Sequence, residues 1–311
     1  MSVPANARGG EVLRLSGVLQ RALRERRHLR ANVILLTLGV ATAVSVSGCG
    51  FLDSIYGAGN EAETTASPAL PPEPTTPPLS FEGFEPGNII SDQEFFDTDA
   101  MTSDDVEAFI DTWNQGCRTG IDGTPCLADY TEDTPSFPAD EHCTGDFAAV
   151  EGDSAGSIVW RAGQACGVNP QVLLVTLQKE QGLITASGAR LTPSRYRSAM
   201  GYACPDSAAC DDDFYGFATQ VYYAARQMRV YEAYPERYLA AAQQSSAIKY
   251  AYPEECGAAE VFVENQATAN LYNYTPYQPN EAALHGVRGE CESPGNLNFY
   301  AYFNAWFGAT D

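Results

Sequence analysis

The residue best placed to do chemistry is Glu180. It sits near the end of the stretch Asn169-Pro170-Gln171-Val172-Leu173-Leu174-Val175-Thr176-Leu177-Gln178-Lys179-Glu180-Gln181-Gly182-Leu183-Ile184. Leu173, Leu177 and Glu180 fall at i, i+4 and i+7, so a helix puts the carboxylate on the leucine stripe. Thr176 lies one turn earlier on that side. Gln171, Gln178 and Lys179 fall elsewhere and are expected to face water. Apolar neighbours disfavour the charged form of a carboxyl, and so do the outward carbonyls of a helix C-terminus. A carboxyl that keeps its proton near neutral pH can protonate a leaving sugar oxygen. The bland alternative is a glutamate that reaches solvent or pairs with a nearby Arg, as most acidic helix residues do.

Both ends of this helix are marked. Asn169 supplies a side-chain oxygen for the N-cap, and Pro170 suits the first helical position. Gly182 takes the left-handed conformation that stops a helix. Around it, Thr102-Ser103-Asp104-Asp105 caps a stripe of Val106, Phe109, Ile110 and Trp113. Ser154–Cys166 reads as a helix ending at Gly167 that pairs with the Glu180 helix as a hairpin. A second clear helix is expected over Phe214–Tyr231, with Phe214, Phe217, Ala218, Val221, Ala225 and Met228 inward. Asp211, Asp212 and Asp213 would favour its N-terminal dipole, a reading preferred over a calcium loop, whose ligand spacing is missing. Ala240–Tyr252 is a weaker helix or strand candidate. Ala258–Val263 reads as a strand, Glu264–Tyr272 as a helix, and Leu297–Phe307 as an aromatic closing helix.

Residues 1–48 have the plan of an export signal, with Arg21, Arg24, Arg26, Arg27 and Arg30 ahead of an uncharged run over Ala31–Val46. Val46-Ser47-Gly48-Cys49 closely resembles a bacterial lipobox, which implies cleavage before Cys49 and diacylation of its thiol. The apolar run is shorter than the roughly 20 residues of a spanning helix, which disfavours an uncleaved anchor. The rest of the chain is then expected outside the cytoplasmic membrane, held to its outer face by the lipid on Cys49. Residues 49–80 are rich in Pro, Thr and Glu and poor in apolar residues, the composition of a semi-extended tether. Residues 81–311 follow as one domain.

The chain has nine cysteines. Without Cys49 an even set remains: Cys117, Cys126, Cys143, Cys166, Cys204, Cys210, Cys256 and Cys291. In an exported domain this reads as a disulfide framework. Sequence leaves the connectivity open; pairing of sequential neighbours is the expectation. No metal or cofactor is expected: there is no CxxC, and His142 and His285 are the histidines beyond the signal. The net charge is −22, with 40 Asp and Glu against 18 Lys and Arg. That balance argues against nucleic acid, which is bound by neutralising phosphates. No nucleophile-elbow motif and no glycine-rich phosphate loop occur.

The order of elements resembles the lysozyme-like superfamily, specifically soluble lytic transglycosylases and goose-type lysozymes. The segments that carry the resemblance are Leu177-Gln178-Lys179-Glu180-Gln181, Ala199-Met200-Gly201-Tyr202 and Leu271-Tyr272-Asn273-Tyr274, within about Ser154–Tyr274. The flanking parts resemble an actinobacterial exported family built around that core. The resemblance implies a mainly α, lysozyme-like domain with short strands and disulfide-stapled loops. It implies that Glu180 is the general acid and then the base in cutting peptidoglycan between N-acetylmuramic acid and N-acetylglucosamine. It also implies that Met200, Gly201 and Tyr202 line the sugar cleft and that Tyr272 lies near the acid. Gln181 replaces the usual serine, the glutamine that often follows the Met motif is absent, and Tyr274-Thr275 replaces a glycine.

Two carboxylates are usual in glycoside hydrolysis. Asp206, Asp211 and Asp213 are the candidates for a second, but dipole and solvent readings fit them better. A single acid fits a lytic transglycosylase, whose nucleophile is the sugar's own 6-hydroxyl. A goose-type hydrolase stands close behind. Tyr222, Tyr223, Tyr272, Tyr274 and Tyr277 are aromatic candidates for sugar contact, with core packing as the plainer role for each. The alternative from another class is a non-catalytic glycan-binding or adhesin-like surface protein. A monomer is expected.

Overall fold

The computed structural model describes residues 71–310. The expected signal, Cys49 and the first part of the tether lie outside the described residues. The chain is mainly helical. Ser91 caps a short helix α1 (Asp92–Phe95), and Thr102 with Asp105 forms a reciprocal capping box on α2 (Ser103–Asn114). A two-residue ribbon, β1 (Thr131–Glu132) with β2 (Asp153–Ser154), leads into α3 (Ala155–Cys166). Gly167 ends α3 in the left-handed conformation at φ 67°. Asn169 then caps α4 (Pro170–Gln181), and Gly182 closes it at φ 60°. Asparagine cap, proline and glycine thus act where the sequence put them.

α4 is more deeply placed than an amphipathic stripe implies. Every residue from Val172 to Gln178 is buried, because α3 packs on one side and α9 (Leu297–Phe307) on another. The expectation that Gln178 and Lys179 face water is therefore corrected. Gln178 is 4% exposed; its amide donates to Thr185 Oγ1 at 2.9 Å and its oxygen accepts from the Thr185 backbone N–H. Buried polar groups persist when bonded in this way.

A short α5 (Pro193–Arg197) precedes the Cys204–Cys210 loop. The long helix α6 (Phe217–Ala233) starts just after Gly216, three residues later than expected. Asp211, Asp212 and Asp213 therefore do not sit on its dipole. They form a separate exposed turn in which Asp211 accepts from the Asp213 N–H. α6 packs on α3 and on α7 (Gln266–Tyr274). Between them β3 (Gln244–Lys249) and β4 (Ala258–Val263) pair antiparallel, Gln244 opposite Val263 and Lys249 opposite Ala258. A one-turn α8 (Glu281–Leu284) comes before α9.

The cysteines pair 117–126, 143–166, 204–210 and 256–291, all sequential neighbours as expected. Cys143–Cys166 ties the loop before β2 to the end of α3. Cys256–Cys291 ties the β3–β4 turn to the segment before α9. Part of the proline-rich stretch lies on the domain: Pro74 and Pro77 are buried, and Glu73 pairs with Arg118 at 2.7 Å. Among the described residues no helix is long and apolar enough to cross a membrane.

Candidate functional site

Glu180 lies one residue before the end of α4, where the helix leaves the core. Its side chain is 23% exposed, neither sealed in nor free in solvent. It lines a cavity of about 420 Å³ with Lys179, Gly201, Cys204, Asp206, Tyr274 and Tyr277. A second cavity of about 460 Å³ shares Gly201, Cys204, Pro205 and Tyr274 with the first and adds Tyr202 and Tyr231. The two form one cleft with both polar and apolar lining, and a space this size suits a small ligand or a segment of a polymer.

Three separate segments meet at this carboxylate. The turn Met200–Tyr202 passes so close that a Cβ on Gly201 would stand 3.0 Å from Glu180 Oε2. Gly201 also holds φ at 68°, which a side chain would strain. From the other side comes the end of α7. Tyr274 donates its hydroxyl to the Met200 carbonyl at 2.7 Å, joining the second segment to the third. Burial first, and then the negative charge of Glu180, push the Tyr274 phenol well above its usual range. Tyr274 therefore stays a neutral donor.

Lys179 completes the site. Its ammonium contacts Glu180 Oε1 at 2.7 Å and Thr275 Oγ1 at 2.5 Å, and the lysine side chain is only 9% exposed. Thr275 is in turn fixed by Asn296, whose amide donates to the Thr275 and Leu271 carbonyls. Arg195 donates to the Gln181 carbonyl and so covers the last turn of α4.

Gln220 was missed in the sequence, and it holds the second segment in place. It is fully buried on α6. Its oxygen accepts from the Met200 N–H at 3.2 Å and the Tyr202 N–H at 3.0 Å. Its amide donates to the carbonyls of Tyr202 and Phe214. Nothing in its spacing separates it from an ordinary helical glutamine; only its partners do.

Gly201, Tyr202 and Tyr274 thus line the cleft, as does Tyr277. The others do not, and three expectations are corrected. Met200 is fully buried and offers the site only its backbone. Tyr272 is fully buried and donates to the Pro86 carbonyl, because its turn of α7 faces the core. Tyr222 is 2% exposed and stacks on Phe137 at 4.3 Å. Tyr223 packs partly buried against Tyr202 and Phe214.

Of the candidate second carboxylates, Asp206 lines the cleft and accepts from the Tyr277 hydroxyl. Asp211 and Asp213 stand exposed with Asp212, their oxygens within 4.8 Å of one another. A separate polar cavity of about 450 Å³, lined by Glu141, His142, Arg229 and Glu232, holds none of the three converging segments. The chain matches no family model, no curated protein and no solved structure.

Proposed function

We propose that the protein cleaves glycan strands of peptidoglycan between N-acetylmuramic acid and N-acetylglucosamine, in the manner of a lytic transglycosylase with a lysozyme-like fold. One observation carries the reading. The three segments that resemble that superfamily are far apart in sequence, yet they converge on one half-buried glutamate at the floor of a cleft. Glu180 gives its proton to the glycosidic oxygen as the bond to the muramic acid C1 breaks. The 6-hydroxyl of that same sugar attacks C1, and Glu180 takes the hydroxyl proton back. The products are an anhydro-sugar end and a free hydroxyl on the departing sugar. Tyr274, held neutral, keeps the Met200–Gly201 turn against the carboxylate.

Zymography on purified cell wall tests this directly. Clearing by the native chain should disappear with Glu180→Gln. Equal clearing by both would remove Glu180 from the reaction. Mass spectrometry of the soluble fragments then separates anhydro ends from hydrolysed ends.

One observation favours a second reading, a glycan-binding protein without catalysis. The Lys179 ammonium rests on Glu180 Oε1, where an acid would carry its proton. On that reading the chain pulls down with cell wall and releases no soluble sugar. Binding without release, with Lys179→Met equally silent, would decide for it.

A further inference from the structure

The cleft at Glu180 does not end at Tyr277. The stapled loop Cys204–Cys210 reaches over it, and from the tip of that loop Asp206 accepts a hydrogen bond from the Tyr277 hydroxyl. Beyond this bridge lies a further cavity of about 290 Å³, lined by Asp206, Ser207, Leu239, Ala247, Lys249, Tyr252, Pro276 and Tyr277. Asp206, Pro276 and Tyr277 belong to both spaces. They are one groove crossed by a side-chain bridge.

The lining is mixed. Leu239, Tyr252 and Pro276 give it apolar surface. Leu239 is 44% and Tyr252 56% exposed, large side chains left facing solvent where most are covered. Ser207, Lys249 and Asp206 give it donors and acceptors. A pyranose ring has the same mixture, with C–H groups on its faces and hydroxyls around its rim. Tyrosine suits such a ring because its apolar body stacks while its hydroxyl stays wet.

The platform is built to stay in place. Tyr252 sits in the turn between β3 and β4, which closes with the Tyr250 N–H on the Gly257 carbonyl at 3.1 Å. Cys256–Cys291 ties that turn to the segment before α9. Gln278, 4% exposed, donates to the Ile248 and Ala259 carbonyls, one on each strand, while its N–H bonds the Lys249 carbonyl. The segment carrying Pro276 and Tyr277 is thereby clamped to the hairpin. An exposed aromatic on a pre-ordered loop loses little freedom when a ligand covers it.

The geometry points to a distal sugar subsite on Tyr252 and Leu239, which takes a further ring of the same glycan strand whose scissile bond lies at Glu180. This rests on the reading of the Glu180 cleft as a glycan site. It implies that the protein selects for strand length, because short oligomers fill the central cleft and leave Tyr252 uncovered.

The test is calorimetric titration of the full-length Glu180→Gln chain, which should not cleave what it binds, with β-1,4-linked N-acetylglucosamine oligomers of two and six units. The six-unit oligomer should bind more tightly than the two-unit one. Adding Tyr252→Ala should weaken the six-unit oligomer by about tenfold and leave the two-unit oligomer unchanged. Lys249→Ala should act in the same direction, more weakly. Equal affinity for both lengths, or no loss with Tyr252→Ala, would overturn the distal subsite and leave the central cleft standing. Absence of binding at either length would overturn both. Unchanged melting of the Tyr252→Ala chain excludes loss of fold as the cause.

Discussion

Gly201 has two independent reasons to lack a side chain: its φ of 68° and the Glu180 oxygen that a methyl group would meet at 3.0 Å. Gly201→Ala should destabilise the fold by about 1–2 kcal/mol, the cost of a strained non-glycine conformation. It should reduce wall clearing by much more than that loss of folded protein explains. Thermal melts alongside zymography separate the two effects. At Tyr274 the expected change is narrower. Tyr274→Phe removes one hydrogen bond to the Met200 carbonyl, worth about 1 kcal/mol. It also frees the turn beside Glu180, so on the proposed reading clearing should fall by more than a melting shift of about 2–4 °C explains. Asp140 allows a pH test away from the cleft. Burial pushes its carboxyl up, but the N–H groups of Cys143 and His142 and the Arg226 guanidinium together pull it down from 3.8 to about 2. A folded-state value below the unfolded one gives stability that is present above about pH 4 and lost as pH falls through about 2. Asp140→Asn should therefore cost about 1 kcal/mol at pH 6, after allowing for solvent screening, and the gap to the native chain should close as melts are taken toward pH 2.

The helices show what the sequence made legible. Asn169-Pro170 and Gly182 bound α4 where cap chemistry places them, and Thr102 with Asp105 opens α2. β4 and α9 also fall on their expected residues. What was not legible depends on neighbours distant in the chain. An apolar stripe with polar residues around it reads the same whether a helix lies on the surface or between two others. α4 is of the second kind, so Gln178 and Lys179 turn inward to partners at Thr185 and Thr275 that no local pattern announces. The same limit hid Gln220. It also made Tyr222 and Tyr272 look like sugar contacts, because a tyrosine with a hydroxyl to satisfy looks alike in a cleft and in a core. Gln178→Ala should cost roughly 1–3 kcal/mol by leaving buried groups at Thr185 without partners, measurable by urea unfolding.

At the scale of the molecule, the four cystines divide by position. Cys143–Cys166 spans 23 residues and joins α3 to the loop before it. Replacing that pair by serine should cost about 3 kcal/mol on the loop-closure argument. Cys204–Cys210 closes only six residues at the lip of the cleft, so its loss should cost less, about 2 kcal/mol, and should act mainly on binding. The acidity of the whole chain has its own consequence if the substrate is an anionic wall. A net charge of −22 slows encounter at low ionic strength. Raising salt until the screening length drops from about 30 Å to about 8 Å should increase the initial rate of clearing. A decrease would show that local attraction at the cleft outweighs the overall repulsion.

The burial of Pro74 and Pro77 and the contact of Glu73 with Arg118 hold this part of the proline-rich stretch on the folded body. Gly116 adjoins this stretch, and an added methyl there would collide with the Pro72 carbonyl. If the N-terminal side is fastened to a membrane, the leash is some ten residues shorter than composition suggests. At about 3 Å per residue for extended proline-rich chain, that removes roughly 30 Å of reach. On the proposed reading, the depth of wall that the groove can reach then depends on whether this short collar stays closed.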